Sequence, residues 1–279
     1  MLKMTMWGTR GSVPSGGSVR YGGATTCLEV ELEGGGAGTP SRVIIDCGTG
    51  LAELGRRWGG RGSAALMLQT HMHWDHVQGF PFFRPLFDPK NRFDFWSARR
   101  EGKTLKEVFS GQMSGPMFPI GMDAMPAELT FRTLPEMGSA ELGELSLSWT
   151  EVSHPSGSTA YRLEYRGASM VFTGDVELEN EGRERLLSFA KGADLLVMDA
   201  QYFPDEYLSR RGFGHSTPTG AVALALEAGV GELMMTHHDP GHSDDRLDEK
   251  LSMGRRAAQG QLRVGNARDG LTWSPEVRS

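Results

Sequence analysis

The most constraining feature of this chain is a run of metal-binding side chain types at residues 71–76, which read HMHWDH. The run places three imidazoles and one carboxylate within six positions, although the whole chain contains only eight histidines. It directly follows segment 64–70, AALMLQT, whose apolar character is typical of a buried strand. We therefore expect a strand that ends in a metal site. The alternative is a polar loop whose histidines are solvated.

The spacing within this run predicts two adjacent half-sites. Side chains repeat every two residues along an extended backbone, so His71 and His73 are expected to project to the same side. Asp75 and His76 are expected to fall on the other side of a turn. Nitrogen and oxygen donors without a thiol suit zinc, manganese or iron.

Three later residues are candidates to complete the half-sites. His154, Asp175 and His237 each lie just beyond the carboxyl end of an apolar run, as His71 does. Four such strand ends could converge on one rim of a sheet. Taken singly, each residue has a simpler interpretation, because a histidine in a loop is usually solvated and a Gly-Asp pair is usually a turn.

The composition is that of an ordinary globular protein and disfavours some classes of function. Apolar residues make up 38% and charged residues 23% of the 279 residues, and the net charge is −6. We do not expect an extended nucleic acid as a partner, because proteins that bind polyanions usually carry a basic surplus. A small anionic substrate is compatible with this charge, since metal ions supply positive charge locally.

The location and the domain organisation of the protein are predicted from its cysteine content and its apolar runs. Only Cys27 and Cys47 are present, which is no disulfide framework and favours a reducing, cytoplasmic location. No run approaches the 18 apolar residues of a membrane span, and the first residues lack the apolar core of a signal peptide. Because no repeat or linker is evident, we predict one domain over residues 1–279.

Hydrophobic periodicity predicts mostly antiparallel strands over the first two thirds of the chain, followed by alternating strands and helices. The predicted strands are 2–7, 25–33, 43–45, 64–70, 92–96, 129–134, 143–152, 159–166, 168–173, 194–199 and 232–236, with a terminal hairpin at 261–274. The predicted helices are 49–58, 103–112, 180–191, 217–228 and 243–258. These elements indicate a layered α/β (α+β) domain in which helices cover sheets.

Taken in order, HxHxDH, a lone histidine, Gly-Asp and a late strand-end histidine resemble the metallo-β-lactamase fold superfamily over nearly the whole chain. The resemblance implies a four-layer αββα sandwich with two divalent metal ions at one edge, and a homodimer. It implies one ion held by His71, His73 and His154, another held by Asp75, His76 and His237, and a bridge between them formed by Asp175 and a shared water or hydroxide.

A second motif points to the class of substrate. Asp199 ends a predicted strand, and His215, Ser216 and Thr217 precede the helix predicted at 217–228. This His-Ser-Thr element is similar to one in the ribonuclease Z-like branch of the superfamily, which cleaves phosphodiesters. The similarity implies that His215 protonates the leaving group with Asp199 as its partner, although ribonuclease Z usually carries Glu at that position. The alternative is that His215 is a polar residue beside the capping hydroxyls of Ser216 or Thr217.

The run 237–242, HHDPGH, is similar to one in bacterial members of the superfamily that hydrolyse cyclic nucleotides or are uncharacterised. His238 and His242 are expected either to contact the substrate, as Ser216 and Thr217 would, or to support the ligand loop.

Residues 111–127, which are rich in Gly, Pro and Met, are predicted to form a long loop. The wider segment 98–127 carries no long basic insertion of the kind that grips tRNA in ribonuclease Z. We expect a lid over a small substrate, with adaptable methionine contacts. Alternatively, the methionines pack on the core or on a second subunit.

These observations favour a metal-dependent phosphodiesterase that acts on a small or cyclic nucleotide-like phosphodiester. Zinc is the expected ion, with manganese or iron as alternatives. Asp75 is expected to bind metal and to orient the attacking hydroxide, and His215 and Asp199 to form the general acid. The alternatives are a hydrolase of the same fold that acts on a thioester, lactone or β-lactam, and a nucleotide-binding metal module without turnover.

Overall fold

The protein is described by a computed structural model that covers residues 1–59 and 62–276. One sheet contains seven strands in the order β14-β1-β2-β3-β4-β5-β6. The bounds of these strands are β1 Leu2–Gly8, β2 Cys27–Leu32, β3 Arg42–Ile45, β4 Ala64–Gln69, β5 Arg92–Ala98, β6 Glu128–Leu134 and β14 Thr272–Trp273. Strands β3 to β6 run parallel to one another, whereas β14, β1, β2 and β3 pair antiparallel.

The second sheet also contains seven strands, in the order β13-β12-β11-β10-β9-β8-β7. The bounds of these strands are β7 Met137–Leu142, β8 Leu145–Val152, β9 Ser158–Tyr165, β10 Ala168–Phe172, β11 Leu195–Asp199, β12 Glu232–Thr236 and β13 Arg263–Asn266. Strands β10 to β13 are parallel, and β7 to β10 pair antiparallel.

Helices cover the outer face of each sheet. Their bounds are α1 Gly50–Arg57, α2 Trp74–Val77, α3 Leu105–Gln112, α4 Asn180–Ala190, α5 Pro204–Tyr207, α6 Pro218–Ala228 and α7 Asp244–Ala258, with short 3-10 helices at Phe80–Phe82, Arg84–Phe87 and Met122–Ala124. Helices α1 and α3 pack on the first sheet, and α4, α6 and α7 pack on the second. No helix of the described residues is both long and apolar enough to span a bilayer.

Strand periodicity divides the apolar residues among three cores. In β3, Val43 and Ile45 face the second sheet, whereas Ile44 between them packs towards α1. This alternation is the expected period of two for a strand that is buried on both faces. The predicted four-layer αββα arrangement is confirmed, while the single-domain organisation over 1–279 stays a prediction.

The ends of several helices are determined by local side chains. Thr104 and Glu107 form a capping box at the start of α3. The hydroxyls of Thr217 and Ser243 accept the backbone N–H of the third residue of α6 and α7, respectively. Such caps satisfy amides that have no partner within the helix, which explains why these boundaries lie close to those predicted.

Two predictions about the strands were wrong. The terminal segment 261–274 is not a hairpin, because β13 pairs with β12 in the second sheet while β14 pairs with β1 in the first. The prediction of mostly antiparallel strands fails for β3 to β6, whose connections carry helices and therefore permit parallel pairing.

Several elements were not predicted, namely β7, α2, α5 and the 3-10 helices. The segment predicted as one strand at 143–152 begins at Leu145, and the preceding strand β7 is largely exposed and contains no β-branched or aromatic residue. Residues 74–77 form one turn of helix, where only a turn of unspecified form was expected.

The inter-sheet core predicts a specific loss of stability. Leu163 in β9 has 0% exposure and belongs to this core. We expect Leu163→Ala to lower the free energy of unfolding by about 2–5 kcal/mol, because the substitution leaves a cavity between two sheets. Leu208→Ala is the matched control, since Leu208 is 77% exposed and should change stability by less than about 0.5 kcal/mol. Urea unfolding followed by circular dichroism checks both; equal losses would contradict the assignment.

Candidate metal centre

The candidate site lies where the carboxyl ends of strands from both sheets meet. Parallel strands end at the same edge, and β8 points the same way as β10 because both are antiparallel to β9. The polar residues at or just beyond these ends are Asp46 after β3, His71 after β4, His154 after β8, Asp175 after β10, Asp199 in β11 and His237 after β12. The two sheets meet here, since the Nε2 atom of His71 lies 3.5 Å from Oδ2 of Asp175.

One group of potential ligands consists of three histidines. His71, His73 and His154 each offer a ring nitrogen, and the three nitrogens lie within 4.8 Å of one another. Nε2 of His154 is 3.0 Å from Nδ1 of His73. No described atom hydrogen-bonds to the buried Nε2 of His71. Imidazole nitrogens that converge in this way, one of them without a hydrogen bond, fit a bound divalent cation.

A second group is fully buried and contains two carboxylates. Asp75, His76, Asp175 and His237 offer ligand atoms that lie within 4.8 Å of one another. Nε2 of His237 is 3.1 Å from Oδ2 of Asp75 and 3.2 Å from Oδ2 of Asp175. The same oxygen of Asp175 is 3.2 Å from Nε2 of His76 and also approaches His71 of the first group. Asp175 therefore lies between the two groups.

A turn divides residues 71–76 into two halves, as expected, and this turn is helical. His71 and His73 precede α2 in extended backbone, and Asp75 and His76 lie within its single turn. This turn brings His76 against Asp175 and His237, while its ring centroid stays 4.2 Å from that of His71. A run of extended backbone alone would not produce this separation at positions 75 and 76.

Most of these side chains are held in the protonation state that binds metal. Burial lowers the pKa of His71 and His73, and it lowers the pKa of His154 to about 4, so these rings are neutral at pH 7. Burial opposes ionisation of Asp75 and Asp175, yet the neighbouring imidazoles bring both pKa values below their ordinary range. Neutral imidazoles and ionised carboxylates form the donor set that a divalent cation requires.

His76 is the exception. Burial lowers its pKa, but the carboxylates of Asp175, Asp75 and Asp46 raise it well above the ordinary value. The pKa of His76 is raised because three acidic groups surround one ring. A divalent cation supplies the same positive charge that these carboxylates otherwise draw from a proton, so this residue also fits a metal site.

In four of these histidines, the ring nitrogen that does not face the other ligands contacts an oxygen atom of the surrounding protein. The pairs are Nδ1 of His71 with Oγ1 of Thr70 at 3.0 Å, Nδ1 of His76 with Oδ2 of Asp46 at 2.7 Å, Nδ1 of His154 with the Gly214 carbonyl at 2.9 Å, and Nδ1 of His237 with Oε1 of Gln201 at 3.1 Å. Contacts of this kind fix the orientation of a metal-binding ring and its tautomer.

The residues that provide these contacts were not predicted from the sequence. Asp46 directly follows the buried strand β3, so the strand-end pattern that identified Asp175 could have identified it as well. Gln201 carries no such signal, because an isolated glutamine after a strand is common. The backbone N–H of Ser12 was also missed; it donates to Oδ2 of Asp75 at 2.7 Å and fixes that carboxylate.

His215 and Asp199 lie beside both groups. Nδ1 of His215 is 2.8 Å from Oδ2 of Asp199, and the ring stacks on His237 with centroids 4.8 Å apart. Burial lowers the pKa of His215, but Asp199 outweighs this and raises it to about 9. Thr217 provides the cap of α6, as the alternative interpretation expected, but that cap does not explain the contact of the His215 ring with Asp199.

The four predicted substrate-binding residues have contacts within the fold. The hydroxyl of Ser216 donates to the Val176 carbonyl, and that of Thr217 accepts from Gly220. His238 has no exposed surface, and its Nε2 contacts the carbonyl of Ala267. Nε2 of His242 contacts Glu206. A fully buried ring is closed to a substrate, so the supporting role is the one that the contacts of His238 favour.

The methionine-rich segment 111–127 divides into an inner and an outer part. Met113 and Met125 are buried in the core beneath the first sheet, and Met122 packs against that core. Met117 is 65% exposed. The interpretation as packing therefore applies to the inner methionines, while a lid or a subunit contact formed by the outer part stays a prediction.

The sequence matches known relatives over different lengths. A 43% identity with Ribonuclease Z from Brevibacillus brevis extends over 96 residues, 34% of this chain and only 28% of that relative. Ribonuclease Z from Haloarcula marismortui is 23% identical over 321 aligned residues, which cover 97% of this chain and 96% of the relative.

Solved structures share the fold. The metallo-beta-lactamase fold protein YhfI from Bacillus subtilis superposes with a TM-score of 0.73 at 18% identity, covering 98% of this chain and all of that chain. Human tRNase Z, short form, superposes with a TM-score of 0.69 at 18% identity, covering 99% of this chain and all of that chain.

The relatives correct one expectation. We expected no extended nucleic acid as a partner, but relatives named Ribonuclease Z and tRNase Z act on RNA, so this exclusion is wrong. The physical reason is that a net charge of −6 is a sum over the whole chain. The charge that a phosphate meets is local, and metal ions contribute to it.

The family is shown by the extent of a sequence match. The profile described as the beta-lactamase superfamily domain matches residues 41–238, which is more than half of the chain. All residues of the two groups of candidate ligands, from His71 to His237, lie within that match. This chain belongs to the beta-lactamase superfamily domain family, and it is a metal-dependent hydrolase.

Proposed function

We propose that the protein uses two zinc ions to hydrolyse a small or cyclic nucleotide-like phosphodiester. One observation carries this proposal: the His215–Asp199 pair is buried directly against both groups of candidate ligands. A hydrolase of thioesters or lactones needs the metal ions but has less need of an acid at this place. A phosphodiester with an alkoxide leaving group needs both.

The ligand groups define what the ions would contribute. Imidazole and carboxylate donors without thiolates suit zinc. When bound, two such ions would provide a water of lowered pKa as the nucleophile and positive charge opposite the phosphoryl oxygens. We assign His71, His73 and His154 to one ion, with Asp75, His76 and His237 for the other and Asp175 shared between them.

The protein side chains perform the remaining steps. Asp75, held by the N–H of Ser12, orients the attacking water as well as binding metal. Nδ1 of His215 is engaged by Asp199, which leaves Nε2 at the opposite edge of the ring to donate its proton to the departing oxygen. The carboxylate of Asp199 raises the pKa of His215 above its ordinary value, which favours the protonated ring that a general acid requires.

Aromatic side chains next to the ligands support a nucleotide-like substrate. Trp74 lies between His73 and Asp75 in the chain and is 51% exposed, and Phe213 lies two residues before His215 and is 59% exposed. Exposed aromatic side chains this close in sequence to a polar site are suited to stacking on a nucleobase.

RNA is the second candidate substrate, and the names of the relatives favour it. Ribonuclease Z from Haloarcula marismortui aligns with 97% of this chain. Stacking on Trp74 and Phe213 would serve the end of an RNA strand as well as a mononucleotide. The two candidates share the reaction and differ in the size of the molecule that carries the phosphodiester.

A substrate panel distinguishes the two candidates. We expect the zinc-loaded protein to hydrolyse 3′,5′-cyclic, 2′,3′-cyclic or dinucleotide diesters with a higher kcat/KM than unprocessed tRNA, because the proposed site selects a short diester. Product formation by chromatography measures each rate under the same conditions. Turnover of tRNA alone would show that RNA, and not a small diester, is the substrate. Turnover of thioesters alone would refute phosphodiester hydrolysis.

The shared carboxylate predicts a joint loss of metal and activity. Asp175→Asn should bind less metal and lose at least about 10²-fold in diester hydrolysis, since even residues that only orient ligands contribute about 10- to 100-fold. Asp245→Asn is the matched control, because the side chain of Asp245 is 89% exposed. Elemental analysis of the purified variants gives the metal content; unchanged metal in Asp175→Asn would contradict the assignment.

The general acid predicts a dependence on the leaving group. His215→Ala should slow hydrolysis of a diester with an alkoxide leaving group by about 10²- to 10⁴-fold. It should change hydrolysis of a nitrophenyl diester little, because nitrophenolate departs without a proton. The ratio of kcat values on the two substrates is the measurement. Equal losses on both would exclude His215 as the acid.

A further inference from the structure

A buried carboxylate outside the ligand groups lies at the centre of the loop that delivers His215. Glu177 is two residues after Asp175, and its residue surface is 4% exposed. Its Oε1 accepts from the Tyr207 hydroxyl at 2.7 Å and from the N–H of Gly212 at 2.9 Å. Its Oε2 accepts from the N–H groups of Gly212 at 3.0 Å and Gly214 at 2.9 Å.

The loop is shaped to surround this carboxylate. Gly212 and Gly214 have φ angles of 87° and 88°, in the region that glycine adopts readily. A Cβ atom at residue 214 would lie 2.1 Å from Nδ1 of His154, so only glycine fits there. The carbonyl of Gly214 contacts that same nitrogen at 2.9 Å. The residue before His215 is therefore held by Glu177 on one side and by a candidate metal ligand on the other.

The neighbouring residue joins the same parts of the site. The N–H of Val176 donates to Oδ2 of Asp199 at 3.1 Å, and the carbonyl of Val176 accepts from the Ser216 hydroxyl at 2.6 Å. Residue 175 thus contacts the ligand groups, and residue 176 contacts Asp199, the partner of His215. Residue 177 contacts the loop that precedes His215 in the chain. This short segment fixes the acid and the ligand groups relative to each other.

We propose that Glu177 is a positioning residue that sets the location of His215, an inference that rests on the proposed function. An ionised carboxylate only accepts hydrogen bonds, and two converging backbone N–H groups and a hydroxyl match it. Without it, these donors turn to water and the loop is free to move. A general acid displaced by about 1 Å loses rate on the order of 10²-fold.

The test uses Glu177→Gln in the zinc-loaded protein. The amide has the same shape, but it replaces one accepting oxygen by an NH₂ group that faces N–H donors. We expect kcat on an alkoxide diester to fall by about 10- to 100-fold. Hydrolysis of a nitrophenyl diester and the zinc content should stay near wild type. Backbone amide exchange across 207–214, measured by mass spectrometry, should become faster in the metal-free protein.

Two further variants make the outcome decisive. Glu184→Gln is the matched control, because Glu184 is exposed on α4, and it should leave every readout unchanged. Tyr207→Phe removes one donor to Glu177 and should shift the same readouts in the same direction, to a smaller extent. It also replaces Glu177→Gln as the test if that variant does not fold.

The outcomes separate this inference from the proposed function. Equal losses of Glu177→Gln on both diesters, or unchanged kcat and exchange, would overturn the positioning role while leaving the proposed function intact. Absence of diester hydrolysis by the wild-type protein would instead refute the proposed function. In that case unchanged amide exchange in Glu177→Gln would overturn the role of Glu177 in holding the loop, and faster exchange would support it.

Discussion

The whole site depends on the burial of carboxylates and imidazoles whose lone pairs face one another. Oδ2 of Asp175 lies 3.2 Å from ring nitrogens of both His76 and His237, and two other ring nitrogens, of His73 and His154, lie 3.0 Å apart. Ionised carboxylates removed from water are costly unless positive charge compensates them. Divalent cations provide that charge for both groups at once, so the same arrangement that requires metal ions also prepares the site for phosphoryl chemistry.

The fold satisfies this requirement by bringing strand ends together. Parallel strands in both sheets end at one edge, and the apolar residues between the sheets fix how the two edges meet. The ligands then come from the ends of four strands, β4, β8, β10 and β12, where backbone position is determined by pairing with the neighbouring strands. The orientation of each ring is set by a further contact, such as that of His76 with Asp46 or of His237 with Gln201.

The sequence predicts the parts of this structure that follow from local patterns. The density of ligands at 71–76 and the strand-end positions of His154, Asp175 and His237 were sufficient to predict residues that the structure brings together. Residues whose role depends on distant contacts carried no such pattern. Gln201 and Glu177 are ordinary polar residues in sequence, and they acquire a role only when the fold places His237 or Gly214 against them.

The errors have the same origin. Strand β7 is largely exposed and contains no β-branched or aromatic residue, so pairing with β8, not its own composition, makes it a strand. The C-terminal segment was predicted to pair with itself, because a local pattern cannot show that β13 and β14 belong to different sheets. The exclusion of an extended nucleic acid failed for a similar reason. Net charge is a sum over the whole chain, whereas an RNA or a nucleotide contacts only the surface around the site.

The most direct test of the central claim is anomalous diffraction from crystals of the zinc-loaded protein. The account predicts two strong peaks at the zinc absorption edge. One peak should lie within coordination distance of His71, His73 and His154, and the other should lie within coordination distance of Asp75, His76 and His237, with Asp175 next to both. A single peak, or peaks away from these residues, would contradict it.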